Sequence, residues 1–284
     1  MEDYKLATKF LQSAPPLTIL GNDTENTLSP IYITIEQLKT LLGIESGGGM
    51  GIYRQENFTS SGVWTKPVNM IGDYVRIILV GAGGGGTGKD NGGGGGGGGQ
   101  IVIEYVNISL ITEIDILIGV GGLTTGSGYG TDGSDSIISS LDPNVTYITA
   151  KGGKAGHTQK GGDSGGGLAG GRDPEETEGN AYTATVSEFG STGGGGGSGF
   201  EGANVLGGNG GACIGKPGKG KGIPPYYSGG GGASWGDGGD GGDSLTANSF
   251  AQNGTLGGGG GGSINVATYG GAGGDGFCRI IWYE

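Results

Sequence analysis

Asp90–Val106, DNGGGGGGGGQIVIEYV, sets eight consecutive glycines, Gly92 to Gly99, directly before an alternating apolar run. Glycine loses more backbone freedom on folding than any other residue, so ordering such a run is costly unless something compensates for it. In the polyproline-II conformation the run has three residues per turn and rises about 3.1 Å per residue, so eight residues span about 25 Å. Such a helix makes no internal hydrogen bonds, and every N–H and C=O points sideways. Fixing each residue costs about 1–2 kcal/mol, whereas a net hydrogen bond returns about 1 kcal/mol. A lone helix therefore melts. A laterally bonded set, pinned at its ends by strands, does not, and QIVIEYV supplies one such anchor.

The rest of the chain bears on whether that set exists. It holds 77 glycines in 284 residues, far above the usual share of about 7 %. There is no Gly-X-Y period and there are nine prolines, which excludes collagen. Further runs occur at 193–197, 229–232 and 257–262. Tyrosine, phenylalanine and tryptophan sit between them, where a flexible linker would carry serine. YVRIILV (74–80), QIVIEYV (100–106), EIDILIGV (113–120), SIISSL (136–141) and VTYITA (145–150) read as strands, being β-branched and partly alternating. FCRIIWYE (277–284) has the same character and is expected to return to the early strands. Tyr105, Tyr147, Phe277 and Trp282 are expected in that core.

The expected fold is mainly β: a small sheet or sandwich framework carrying a glycine-rich insertion of packed polyglycine helices, with a small N-terminal attachment module. Residues 1–46 form the module. DYKLATKFLQ reads as one short amphipathic helix, and TIEQLKTLLG as another with a Thr34/Gln37 capping pair. Residues 47–57 read as a linker, 58–150 as the framework completed by 277–284, and 151–276 as the insertion.

The net charge of −12 argues against a nucleic-acid partner or an anionic membrane surface, both of which need a basic footprint. MEDYKLATKF lacks the apolar core of a signal peptide, and VRIILV is too short to span a bilayer. Cys213 and Cys278 are too few and too separated for a disulfide scaffold and are expected as thiols. GGDSGGG (161–167) contains the GDSGG string of trypsin-like proteases, but the sole histidine, His157, lies seven residues upstream without that family's histidine motif. GGDGGDSLT (238–246) and GGAGGDGFC (270–278) fit a calcium β-roll nonapeptide but are isolated copies. Asp237, Asp240 and Asp243, three residues apart, read as one solvated helix edge. No catalytic residue, cofactor or metal is assigned, and the chain reads as a binding protein rather than an enzyme.

FTSSGVWTKPVNMIGDYVRIILVGAGGGG, GGGGGGGGQIVIEYV, EIDILIGVGG, GTDGSDSII and TAKGGKAG resemble the glycine-rich domain of bacteriophage tail-fibre and receptor-binding proteins. The resemblance covers about 58–157 and the terminal GGAGGDGFCRIIWYE. In organisation, the insertion is similar to the distal long-tail-fibre adhesins of T-even-like phages, in which glycine runs alternate with receptor-contacting segments. This implies a virion protein at the distal tip of a tail fibre, made in the host cytoplasm. Its partners would be a bacterial outer-membrane receptor, protein or lipopolysaccharide, and a tail fibre or tail protein held by the N-terminal module. Docking to sister chains as a homo-oligomer fits the same module. Aromatic rings on rigid supports give contact area at low entropic cost, so the candidate receptor-binding residues are Tyr182, Phe189, Phe200, Pro224, Pro225, Tyr226, Tyr227, Trp235, Phe250 and Tyr269. The bland alternative for each ring is that it staples the glycine slab. As whole-protein alternatives, an ice-binding protein would need a regular small-residue face, and a structural spacer would not need so many aromatics.

Overall fold

A computed structural model describes residues 18–21, 31–34, 51–88, 92–124, 129–139, 148–158, 160–171, 186–187, 190–197, 200–201, 207–223, 226–242, 250–264 and 269–284. The chain divides into two compact units, Met1–Ile52 and Tyr53–Glu284. In the first, β1 (Thr18–Gly21) pairs antiparallel with β2 (Ile31–Thr34). Thr34, expected to cap a helix, instead ends β2 opposite Thr18. The remainder of both expected helices lies outside the described residues.

The second unit is built on two antiparallel sheets. One contains β3 (Tyr53–Phe58), β5 (Tyr74–Val80), β6 (Ile101–Asn107), β10 (Val186–Ser187), β11 (Gly190–Ser191) and β15 (Phe277–Tyr283), in the order β10-β11-β6-β5-β15-β3. The other is β4 (Gly62–Thr65), β7 (Glu113–Leu117), β8 (Ser136–Ser139) and β9 (Ile148–Ala150), in the order β4-β7-β8-β9. Alternation in YVRIILV sends Val75, Ile77 and Leu79 to one face, where they meet Ile114, Ile116, Ile138, Ile148 and Ile280 between the sheets. Trp64 and Trp282 meet edge-on there, ring centroids 5.6 Å apart. Ile78 and Val80 point the other way, packing with Ile101, Ile103, Phe277 and Ile281.

As the sequence implies, FCRIIWY returns to the early strands. It slots between β5 and β3, pairing Phe277 with Val80 and Tyr283 with Tyr53. One boundary and one core assignment are corrected. Tyr53–Asn57, read as linker, is most of the edge strand β3. It lacks apolar alternation because its residues are exposed at the sheet's edge. Tyr105, expected in the core, is 69 % exposed on β6, unlike the buried Phe277 and Trp282; Tyr147 lies outside the described residues.

The glycine runs form the second half of the unit. The amides of Gly94, Gly97 and Gln100 donate to His157, Lys154 and Lys151; those of Gly95 and Gly98 to Gly197 and Gly194; and those of Gly96 and Gly99 to Gly260 and Gly257. The carbonyls of residues 94, 97 and 100 accept from Thr87, Gly84 and Gly81, those of 95 and 98 from Gly162 and Gly165, and those of 93 and 96 from Gly229 and Gly232. These bonds are 2.8–3.0 Å long. Each partner changes every residue and recurs every third residue, as three residues per turn require. The Gly92–Gly99 helix thus has six neighbours, two parallel and four antiparallel.

The same bonding gives six neighbours to 81–88, 229–234 and 257–262. These four helices form the interior of a hexagonally packed bundle, ringed by 118–124, 129–135, 151–157, 160–165, 193–197, 207–211, 215–220, 236–242, 250–256 and 269–276. The bundle is therefore not confined to the expected insertion of 151–276. It takes in 81–88, 92–99, 118–124 and 129–135, because the framework strands feed directly into these helices.

Position in the lattice explains composition. A Cβ on Gly96 would lie 2.1 Å from the Gly84 carbonyl oxygen, and one on Gly95 would lie 2.2 Å from that of Gly230. Only glycine fits where all six sides are occupied. On the rim one residue per turn faces water, as in KGGKAGH, where Lys151, Lys154 and His157 are exposed between buried neighbours.

Candidate functional site

The hydrogen-bond register gives the bundle two ends. At the framework end, Gly81 follows β5, Gln100 precedes β6, Lys151 follows β9 and Gly276 precedes β15. At the far end Thr87 bonds Gly94, Gly94 bonds His157, Gly229 bonds Gly93 and Ser263 bonds Thr87. About 25 Å of helix separates the two. The connections between 88 and 92, 124 and 129, 220 and 229, 242 and 250, and 264 and 269 all leave and re-enter the bundle at the far end.

This polarity sorts the candidate residues. Phe200 in β12 (Phe200–Glu201) pairs with Tyr227, and Tyr226 pairs with Glu201 and Ile223, in a three-stranded far-end sheet of β12, β14 (Tyr226–Ser228) and β13 (Lys221–Ile223). Tyr227 is only 2 % exposed, so its ring belongs to the fold. Phe250 and Tyr269 are 59 % and 56 % exposed. They open neighbouring parallel helices, since Gly254 and Gly257 donate to Ala272 and Asp275. Pro224, Pro225, Tyr182 and Phe189 lie outside the described residues. Phe189 falls between β10 and β11, which join the framework through β6.

Trp235 sits at the opposite end. Its ring stacks on Phe277, centroids 5.9 Å apart, and Arg279 lies 5.5 Å over it. The run 229–234 carries the chain the full length of the bundle between Tyr227 and Trp235, so IPPYYSGGGGASW does not form one site. Trp235 covers the outer face of the large sheet beside Cys213, whose thiol lies 3.3 Å from the Ser191 hydroxyl. Sequence reading missed Tyr129 at the far end, 51 % exposed, its ring 5.5 Å from that of His157. The signal was positional: GYG restarts a helix after a break in the glycine pattern.

Rim carboxylates are used by the backbone. Asp237 and Asp240 accept the amides of Lys216 and Lys219 at 2.7 and 2.9 Å. Their three-residue spacing thus matches that of the amides on the adjoining helix, which is a stronger reason than solvation. Asp132 and Asp135 accept the amides of Ala155 and Gly152 and pair with Lys154 and Lys151. Partial burial opposes ionisation of Asp132, but the Ala155 amide and the Lys154 ammonium outweigh it and hold its carboxyl below the ordinary value. Burial likewise opposes ionisation of Asp135, which Lys151 and the Gly152 amide overcome.

In the protease-like string, the Ser164 hydroxyl accepts the Leu168 amide at 2.8 Å, while His157 pairs with Tyr129. In the β-roll-like strings, Asp240 is held by Lys219 and Lys221, and Asp275 accepts the Gly121 amide. No cluster of three or more metal-ligating side chains occurs among the described residues. A family model described as a glycine-rich domain matches residues 46–283. The chain belongs to that family. The glycine-rich domain so defined contains the framework and the bundle together, and no curated protein matches the chain.

Proposed function

We propose that this glycine-rich domain protein is a phage tail-fibre tip adhesin that binds a bacterial surface receptor, an outer-membrane protein or lipopolysaccharide, without catalysis. The observation that supports it most is the polarity of the second unit. Tyr53, where that unit begins, lies beside Tyr283 at the framework end away from the bundle. Tyr129, Tyr226, Phe250 and Tyr269 lie at the other end, beyond a bundle whose interior helices are bonded on all six sides. A spacer that holds contact residues away from an attachment point suits recognition, because residues fixed on a hydrogen-bonded scaffold lose little entropy on binding. The residues that would make contact are Phe250, Tyr269, Phe200, Tyr226, Tyr129 and the Pro224–Pro225 connection.

The reading is tested by adsorption of phage, or of the isolated chain, to host cells. Replacing Phe250 and Tyr269 by alanine is expected to weaken adsorption at least tenfold with an unchanged thermal transition. Trp235→Ala is expected to lower the transition while the protein that remains folded still adsorbs. Undiminished adsorption after truncating every far-end aromatic would instead favour a structural spacer.

A further inference from the structure

The face of the large sheet turned away from the small one carries residues that the core does not use. Register places Tyr105 opposite Arg76, Arg76 opposite Ile281 and Ile281 opposite Gln55, a row across four strands. The next row toward the bundle is Ile103, Ile78, Arg279 and Asn57. Arg76 and Arg279 are therefore diagonal neighbours on adjacent strands, their backbones about 7–8 Å apart. Toward the other end, Tyr74 lies opposite Asn107 and Tyr283 opposite Tyr53. Tyr53, Tyr74, Tyr105 and Tyr283 are all more than half exposed, and the rings of Tyr53 and Tyr283 meet edge-on, centroids 6.2 Å apart.

The charge on this face is one-sided. None of its described strand positions holds an aspartate or glutamate, although the chain has a net charge of −12. Arg54, on the opposite face of β3, has a carboxylate of its own chain, Glu284 at 2.9 Å. Arg76 and Arg279 have no such partner among the described residues. The Arg279 Nε donates to the neutral Asn57 Oδ1 at 2.7 Å, and its guanidinium lies 5.5 Å from the ring centres of Trp235 and Phe277. The Arg76 Nε is buried and donates to no acceptor. A buried donor left unpaired lowers stability, so folding alone would be served better by an apolar side chain at this position.

We infer that this face is a docking site for an acidic segment of a partner protein, with Arg76 and Arg279 each taking a carboxylate and the four tyrosines bordering the contact. Charge selects the occupant. A guanidinium presents a planar fork of N–H donors that matches a carboxylate, and arginine and tyrosine are among the residues that carry most of the binding energy at protein interfaces. A second copy of this chain suits the face less well, because its rim carboxylates are engaged: Asp132 and Asp135 pair with lysines, and Asp237 and Asp240 accept amides. A long polyanion would meet repulsion from the rest of the molecule, whereas a short acidic segment need meet only this face. The site adds to the adhesin reading a contact at the end opposite Phe250 and Tyr269, and it stands or falls apart from that reading because it involves no receptor.

Fluorescence anisotropy of fluorescein-labelled hexaglutamate titrated with the full chain tests this, with hexaglutamine as the control. The chain's net negative charge works against unspecific attraction of the probe. Hexaglutamate is expected to bind with a Kd below about 1 mM, more weakly as salt is raised, and hexaglutamine is expected not to bind. Arg76→Met is expected to weaken binding at least tenfold while the thermal transition stays unchanged or rises, because no hydrogen bond of its Nε is lost. Tyr105→Ala, which truncates an exposed ring beside Arg76, is expected to weaken binding at least threefold and guards against a folding defect in the first variant. Absence of binding up to about 1 mM, equal binding of hexaglutamine, or an affinity untouched by Arg76→Met overturns the inference. So does self-association in sedimentation equilibrium that Arg76→Met abolishes, which would assign the face to a second copy.

Discussion

At the scale of single residues, the bundle is decided by the space that a Cβ would need. On Gly97 that atom would lie 2.1 Å from the backbone oxygen of Asp163, and backbone held by neighbours on every side has nowhere to move. Gly97→Ala is therefore expected to cost about 3 kcal/mol or more, beyond ordinary overpacking, measured as a lowered denaturation midpoint. Lys219→Ala, on the rim, should stay within about 0.5 kcal/mol. Asp132 and Asp135 have carboxyls held below their ordinary value of 3.8. Their contribution is present above that value and is lost as pH falls through the still lower folded value. Thermal stability should accordingly drop in acid below about pH 4, and the Asp132→Asn, Asp135→Asn double variant should show a smaller acid-induced drop. Burial pushes the Cys278 thiol up to about 12, so it stays protonated and shielded. A thiol reagent at pH 8 should label the half-buried Cys213 first and Cys278 only on unfolding.

At the scale of elements, strands and glycine helices were legible for the same reason: each has a fixed residue period. The apolar alternation of YVRIILV and FCRIIWY gave the two central strands, and the pure glycine runs gave interior helices 92–99, 229–232 and 257–262. Two kinds of element were not legible. The edge strand Tyr53–Phe58 is polar because both its faces meet water, so it read as linker. The partners of each glycine helix were hidden because glycine carries no side chain to record them. For that reason Trp235 was grouped with Tyr226 and Tyr227, although a glycine helix places it at the other end. Trp235→Ala should cost about 3 kcal/mol, the low end for losing a large ring because this one is only partly buried, since its stacking on Phe277 and beneath Arg279 closes the framework. The aromatics between the glycine runs were legible as residues that a scaffold would hold. Their place in the candidate site was not, since only register tells the far end from the framework end.

At the scale of the whole second unit, framework and bundle form one compact unit. The strands alone would leave Ile101, Ile103 and Ile281 with less cover, and the helices alone have no side chains to bury. The strands fix where each glycine helix begins, and lateral hydrogen bonds do the rest. The proposed presentation of far-end residues depends on that bonding, so the account rests first on whether the interior glycines are bonded. Amide hydrogen exchange of Gly94 to Gly99, followed residue by residue, tests it most directly. All six amides donate to neighbouring helices, and the account predicts protection close to that of Ile77 and Ile280 in the central strands. Exchange of these glycines at the rate of an unfolded peptide, with the strands still protected, would contradict it.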